Sequence, residues 1–149
     1  MKVLIASDHA GLGLKNSIRE FLENEKIAVE DLGPQSTDSV DYPDFASLVA
    51  QAIADKKADR GILVCGTGLG MIISANKFRG VRAVAVSDLF SARMSREHND
   101  ANLLALGARV LDPSKALRLV KTWLKTPFKG GRHQNRLDKI SEIEKRNMK

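Results

Sequence analysis

The sequence predicts an α/β fold in which a five-stranded parallel sheet is covered by helices on both faces. Three observations carry this expectation. Short apolar runs alternate five times with stretches whose apolar residues recur at helical spacing. The runs are brief and continuous, as at residues 3–6 and 62–65, the pattern of strands buried on both sides. No low-complexity stretch or internal repeat interrupts the alternation, so residues 1–149 read as one domain.

The elements follow in order. Residues 3–6 form a first strand. Leu14, Ile18, Phe21 and Leu22 then mark an amphipathic helix over residues 11–25. A second strand at 27–32 closes on Gly33-Pro34. Pro43 suits the first turn of a helix whose inward face is expected to be Phe45, Leu48, Val49, Ala52 and Ile53. Residues 61–65 form a third strand, 71–78 a helix, 81–87 a fourth strand, 91–97 a helix and 108–111 a fifth strand. Ala116, Leu117, Val120, Trp123 and Leu124 mark the next helix, and 126–131 a turn. The last helix has only Leu137, Ile140 and Ile143 as an apolar stripe, too little for a core of its own. Residues 130–149 are therefore expected to pack on a second copy, within a Rossmann-like three-layer α/β/α architecture.

Composition narrows the functional classes. A 149-residue chain with 43% apolar and 28% charged residues is globular, and its apolar runs fall far short of the ~18 residues a bilayer span needs. Met1-Lys2 leads straight into a strand, so no secretory signal and a cytoplasmic location are expected. One cysteine and three scattered histidines offer no internal disulfide and no metal-ligand spacing, and neither metal nor cofactor is expected. The net charge of +6 is uneven: residues 113–149 hold eleven Lys and Arg against three Asp and Glu. That surplus fits a solvated helix face, a nucleic-acid surface, or a clamp for a phosphorylated small molecule. Seven aromatics and no basic run of five argue against nucleic acid.

Ligands of open parallel sheets collect beyond the carboxyl ends of the strands. That rim should carry Ser7-Asp8-His9 after the first strand and Cys65-Gly66-Thr67-Gly68-Leu69-Gly70 after the third. Three glycines in five positions before a helix suit an anion cradled by backbone N–H groups. The loop is neither a dinucleotide fingerprint nor a Walker loop, since Met71 stands where a third glycine is needed and no Lys-Ser/Thr follows. A tight turn with an inert cysteine is the simpler reading. The chemical one is a thiol acting as nucleophile or proton-transfer base beside donors for an oxyanion, as an aldose–ketose interconversion requires. Asp8-His9 reads equally as a strand-end cap. The cluster Arg96-Glu97-His98-Asn99-Asp100 reads first as solvent-exposed, with His98 an acid/base candidate near neutral pH. Arg132 and Arg136, four apart on one helix face beside His133, suit a phosphate, as does Arg109 at the sheet.

At these residues the chain resembles sugar-phosphate isomerases of the ribose-5-phosphate isomerase B type. The likeness runs nearly end to end. It includes Ser7-Asp8-His9-Ala10-Gly11, Asp41-Tyr42-Pro43, Cys65-Gly66-Thr67-Gly68, Ala75-Asn76-Lys77, residues 93–102, Gly107-Ala108-Arg109-Val110 and Gly130-Gly131-Arg132-His133 with Arg136. The resemblance implies that Cys65 shuttles the proton between C1 and C2, with Thr67 and the Gly66, Gly68 and Gly70 amides around the oxyanion. It implies that His98 assists ring opening, that Asp8 and Asn99 hold sugar hydroxyls, and that His9, Arg109, Arg132 and Arg136 bind phosphate. Tyr42 would line the pocket. It further implies a homodimer, or a tetramer, with active sites shared between subunits. Some relatives place a glutamate six positions after the cysteine; Met71 stands there, leaving Cys65 as the base. Two alternatives stay open: an isomerase of allose or galactose 6-phosphate, and a phosphosugar-binding module without catalysis.

Overall fold

The computed structural model describes residues 1–148; the expected 130–149 segment thus ends on a residue outside the described ones. Five strands, β1 (Lys2–Ser7), β2 (Ala28–Asp31), β3 (Arg60–Cys65), β4 (Ala83–Ala85) and β5 (Leu103–Gly107), form one sheet in the order β2-β1-β3-β5-β4. Every pairing is parallel. Between and after them run α1 (Leu12–Asn24), α2 (Tyr42–Ala54), α3 (Leu69–Ala75), α4 (Leu89–Glu97), α5 (Pro113–Lys125) and α6 (Arg132–Asn147). This is the predicted three-layer α/β architecture. No helix is long and apolar enough to cross a membrane, among the described residues.

Strand side chains alternate between two cores, as the period of two demands. Val3, Ile5, Ile62, Val64, Leu104 and Leu106 face α1, α4 and α5, where Ile18, Leu22, Leu119 and the fully buried Trp123 fill the space. Leu4, Ala6, Leu63, Cys65, Leu103 and Ala105 face α2 and α3. That second core is built largely from small residues, among them Ala46, Ala50 and Ala75. Its closeness is visible at Gly61, where a Cβ would stand 2.6 Å from Val49 Cγ1.

Local chemistry sets the element ends. Asp88 caps α4 by accepting from the Ser91 N–H at 2.7 Å, and Asp112 caps α5 through Lys115 N–H at 2.9 Å. Pro113 and Pro43 occupy first turns, where a missing N–H costs nothing. Among the described residues, Lys15 is a fully buried charged side chain: its ammonium donates to Asp31 Oδ1 at 2.8 Å and to the Pro34 carbonyl at 2.6 Å. Burial opposes the charge on Asp31, but Lys15 and the Gly33 N–H hold its carboxyl below the ordinary range.

Two expectations are corrected. The fifth strand is Leu103–Gly107, not 108–111; there the Val110 and Leu111 N–H groups both return to the Gly107 carbonyl, at 3.1 and 3.0 Å, and close a turn. The strand is the apolar run just after the polar cluster, buried throughout. On α2 the inward face is Ala46, Val49, Ala50 and Ile53, whereas Leu48 is 49% exposed. Small side chains win that face because the helix lies so near β3.

Candidate active site

The chain turns from β1 toward β2 on one side and β3 on the other, so a crevice is expected beyond the carboxyl ends of β1 and β3. Asp8 and His9 leave β1 there. The Asp8 carboxylate accepts the Gly11 N–H at 3.0 Å, and the Asp8 N–H donates to Val64 O at 3.1 Å, stitching the two strand ends together. Gly11 is required at that contact, because a Cβ would collide with the Val64 carbonyl. His9 Nδ1 accepts the Val40 N–H at 3.1 Å. In the neutral ring the proton must then sit on Nε2, which leaves a donor free for a ligand.

The glycine loop follows β3. Cys65 is 5% exposed, and its Sγ accepts the Gly68 N–H at 3.1 Å. Thr67 Oγ1 accepts the Leu69 N–H at 3.3 Å. These bonds refine the expected anion cradle: the Gly68 amide is engaged by the sulfur and the Leu69 amide by the threonine. Gly68 sits at φ 84, a left-handed conformation that aims its N–H back at the sulfur. The other glycines allow close approaches. The Arg109 guanidinium lies 3.2 Å from where a Gly66 Cβ would be, and the Tyr42 ring occupies the place of a Gly70 Cβ. Beside Thr67 a cavity of about 270 Å³ opens between Leu69, Ser87, Gly107 and Val110. Asp8, His9, Tyr42, Cys65, Thr67 and Arg109 therefore share one rim.

His98 does not. It ends α4, five residues before β5 begins, and so lies at the amino edge of the sheet. From Leu103, at that edge, to Gly107, paired beside Cys65, β5 rises about 13 Å. At this second edge the His98 ring stacks on His133, with centroids 4.1 Å apart and planes 13° from parallel. Gly130 and Gly131, both at positive φ, turn the chain into α6 so that Arg132 and Arg136 emerge exposed beside the stack. Burial, then the charges of His98, Arg132, Arg136 and Lys129, push the His133 imidazole below its ordinary value. Asn99 belongs to the same edge, its carbonyl held by Arg82 Nε at 3.0 Å.

One copy of the chain thus presents two half-sites at opposite ends: a sulfur-bearing loop with Asp8 and His9, and an imidazole stack with Asn99 and two exposed guanidiniums. Sequence reasoning gave His133 no role, though it adjoins Arg132. It also read residues 96–100 first as solvated, whereas Arg96 is 2% exposed; the signal available was the opposite charge of Arg96 and Asp100 four residues apart.

Known proteins share this fold. Ribose-5-phosphate isomerase B of Clostridium thermocellum superposes with a TM-score of 0.96 at 53% identity, covering 98% of this chain and 99% of that one. Ribose-5-phosphate isomerase B of Escherichia coli is 46% identical over 145 residues, 97% of each chain. The Mycoplasma genitalium enzyme, solved with bound ribulose-5-phosphate, has a TM-score of 0.94 at 46% identity, over 97% of this chain and 96% of that one. The sequence model of the family described as Ribose/Galactose Isomerase matches residues 3–140. The chain belongs to the ribose/galactose isomerase family.

Proposed function

We propose that the protein interconverts D-ribose 5-phosphate and D-ribulose 5-phosphate through an enediolate, as one domain per subunit and with each active site completed by a second subunit. The observation that carries the reading is the Cys65 sulfur, held by the Gly68 N–H in the glycine loop that follows β3, next to the β1 strand end that carries Asp8. Membership of the family and the ribulose-5-phosphate complex of a relative at 46% identity support the substrate.

The sugar is closed as a furanose, so its aldehyde must first be exposed. His98 moves the proton between the ring oxygen and the anomeric hydroxyl, while Asn99 and Asp8 hold neighbouring hydroxyls. Cys65 then takes the proton from C2. The C2–H electron pair becomes the C1–C2 double bond, and O1 gains negative charge beside Thr67 and the free loop amides. Transfer of the O2 proton to O1 and return of the first proton from Cys65 to C1 give the ketose. His9, Arg109, Arg132 and Arg136 bind the phosphate.

Within one chain the two half-sites face opposite ends, which supports a homodimer in which the amino edge of one copy meets the carboxyl edge of the other. Ile140 and Ile143, both about half exposed on α6, fit a helix with a partner to cover. Replacement of Cys65 tests the chemistry: Cys65→Ala keeps phosphosugar binding but loses turnover by at least the ~10²–10⁴-fold a general base supplies. Undiminished turnover refutes the assignment. A coupled assay of ribose 5-phosphate against allose 6-phosphate decides sugar length.

A further inference from the structure

The turn from α4 into β5 carries His98 and Asn99, and it is gripped by side chains that the proposed chemistry does not use. Asp100 sits at φ 45, a left-handed conformation that strains most residues with a Cβ and that aspartate and asparagine accept more readily. Its carboxylate accepts Arg96 Nη1 at 2.8 Å on one oxygen and Arg82 Nη2 at 3.3 Å on the other. Arg96 is buried, with its other donors on the Ala101 carbonyl at 2.6 Å and the Thr126 carbonyl at 3.2 Å. Arg82 also reaches the backbone: its Nε donates to the carbonyls of Asn99 and Asp100, both at 3.0 Å. Asn102 ties the assembly to the approach of β4, accepting the Arg82 N–H and donating to the Gly80 carbonyl, each at 2.8 Å.

We propose that Asp100 is a positioning residue: clamped between Arg82 and Arg96, it fixes the turn that aims His98 and Asn99 at the sugar. The inference rests on the assignment of His98 and Asn99 given above. A residue that only stabilised the fold would, when removed, weaken every step alike. A residue that aims His98 affects ring opening and leaves proton transfer at the thiol in place.

Two readouts separate these cases. Exchange of the C1 proton of ribulose 5-phosphate in deuterated water, followed by NMR, needs enediolate formation from an open chain and no ring chemistry. Conversion of ribose 5-phosphate needs both. Asp100→Ala is expected to lower conversion about 10–100-fold, the scale of a catalytic group displaced by an ångström, with exchange within about threefold of wild type. Asp100→Asn, which tolerates the left-handed backbone and keeps an acceptor, restores most of the conversion. Should Asp100→Ala melt at the assay temperature, Arg82→Gln removes the same grip from a partly exposed position and shows the same selective loss. Wild-type conversion by the folded variant, or equal loss of conversion and exchange, overturns the proposal. His98→Asn is the reference: selective loss there with none in Asp100→Ala overturns the clamp alone, and no loss in His98→Asn overturns the assignment of His98 itself.

Discussion

Gly107→Ala probes how tightly the glycine loop is seated. Gly107 ends β5, pairs beside Cys65, and faces the backbone of Thr67. A Cβ at this position stands 2.8 Å from the Cα, C and O atoms of Thr67. Ordinary carbon contacts need about 3.5–4.0 Å, so the loop must retreat by roughly 0.7–1.2 Å. It cannot do so freely. The Ala108 N–H is bound to the Cys65 carbonyl at 2.8 Å, the Arg109 N–H to the Gly66 carbonyl at 3.0 Å, and the Gly68 N–H to the sulfur. The overpacking should cost about 1–3 kcal/mol, lowering Tm by about 3–10 °C. A shift near 1 Å at Thr67 should lower kcat/KM by about 10²-fold. Gly13→Ala is the matched control: nothing lies within 4 Å of its Cβ in the first turn of α1, so it should leave stability unchanged or slightly raised, with turnover unchanged. Thermal melts and a coupled assay read both variants. Wild-type kcat/KM in folded Gly107→Ala would refute the idea that the loop has no slack against β5.

Arg132→Ala and Arg136→Ala should chiefly raise KM, because a phosphate remote from C1 and C2 is held alike in ground and transition states; steady-state kinetics with kcat lowered at constant KM would contradict this. His133 gives a pH prediction. Its folded imidazole titrates below the ordinary 6.5, so under about pH 6.5 the unfolded chain binds a proton that the folded chain refuses. The stability it contributes is present above that pH and is lost as pH falls toward the folded value. Urea midpoints at pH 7.5 and 5.5 should differ less in His133→Asn than in wild type; equal differences would refute the shift.

Much of this molecule is legible in its sequence, because a parallel sheet writes continuous apolar runs and its rim follows from where they end. That logic puts Asp8, His9, Cys65 and Thr67 just beyond the carboxyl ends of two strands, and the structure has them after β1 and β3. The fifth strand was missed where two apolar runs lie close together, and only the return of the Val110 and Leu111 N–H groups to Gly107 shows which one is the turn. Hydrophobicity favoured Leu48 on the inner face of α2, but the short distance to β3 selects Ala46 and Ala50. Arg96 shows a different limit. A charge reads as exposed unless its acceptors are known, and two of them, the carbonyls of Ala101 and Thr126, are backbone groups that no side-chain pattern reveals.

The unequal filling of the two cores has an evolutionary consequence. Behind α1 and α5, bulky side chains such as Trp123, Leu119 and Ile18 can trade volume among themselves, so that layer is free to drift or be stabilised. Between α2, α3 and the sheet, alanines and Gly61 stand among fewer bulky partners, so an added methylene there has fewer neighbours that can shrink in exchange. Cys65 projects into that thin layer. The lineage has more room to change its thermal tolerance through the first face than through the one that holds the sulfur.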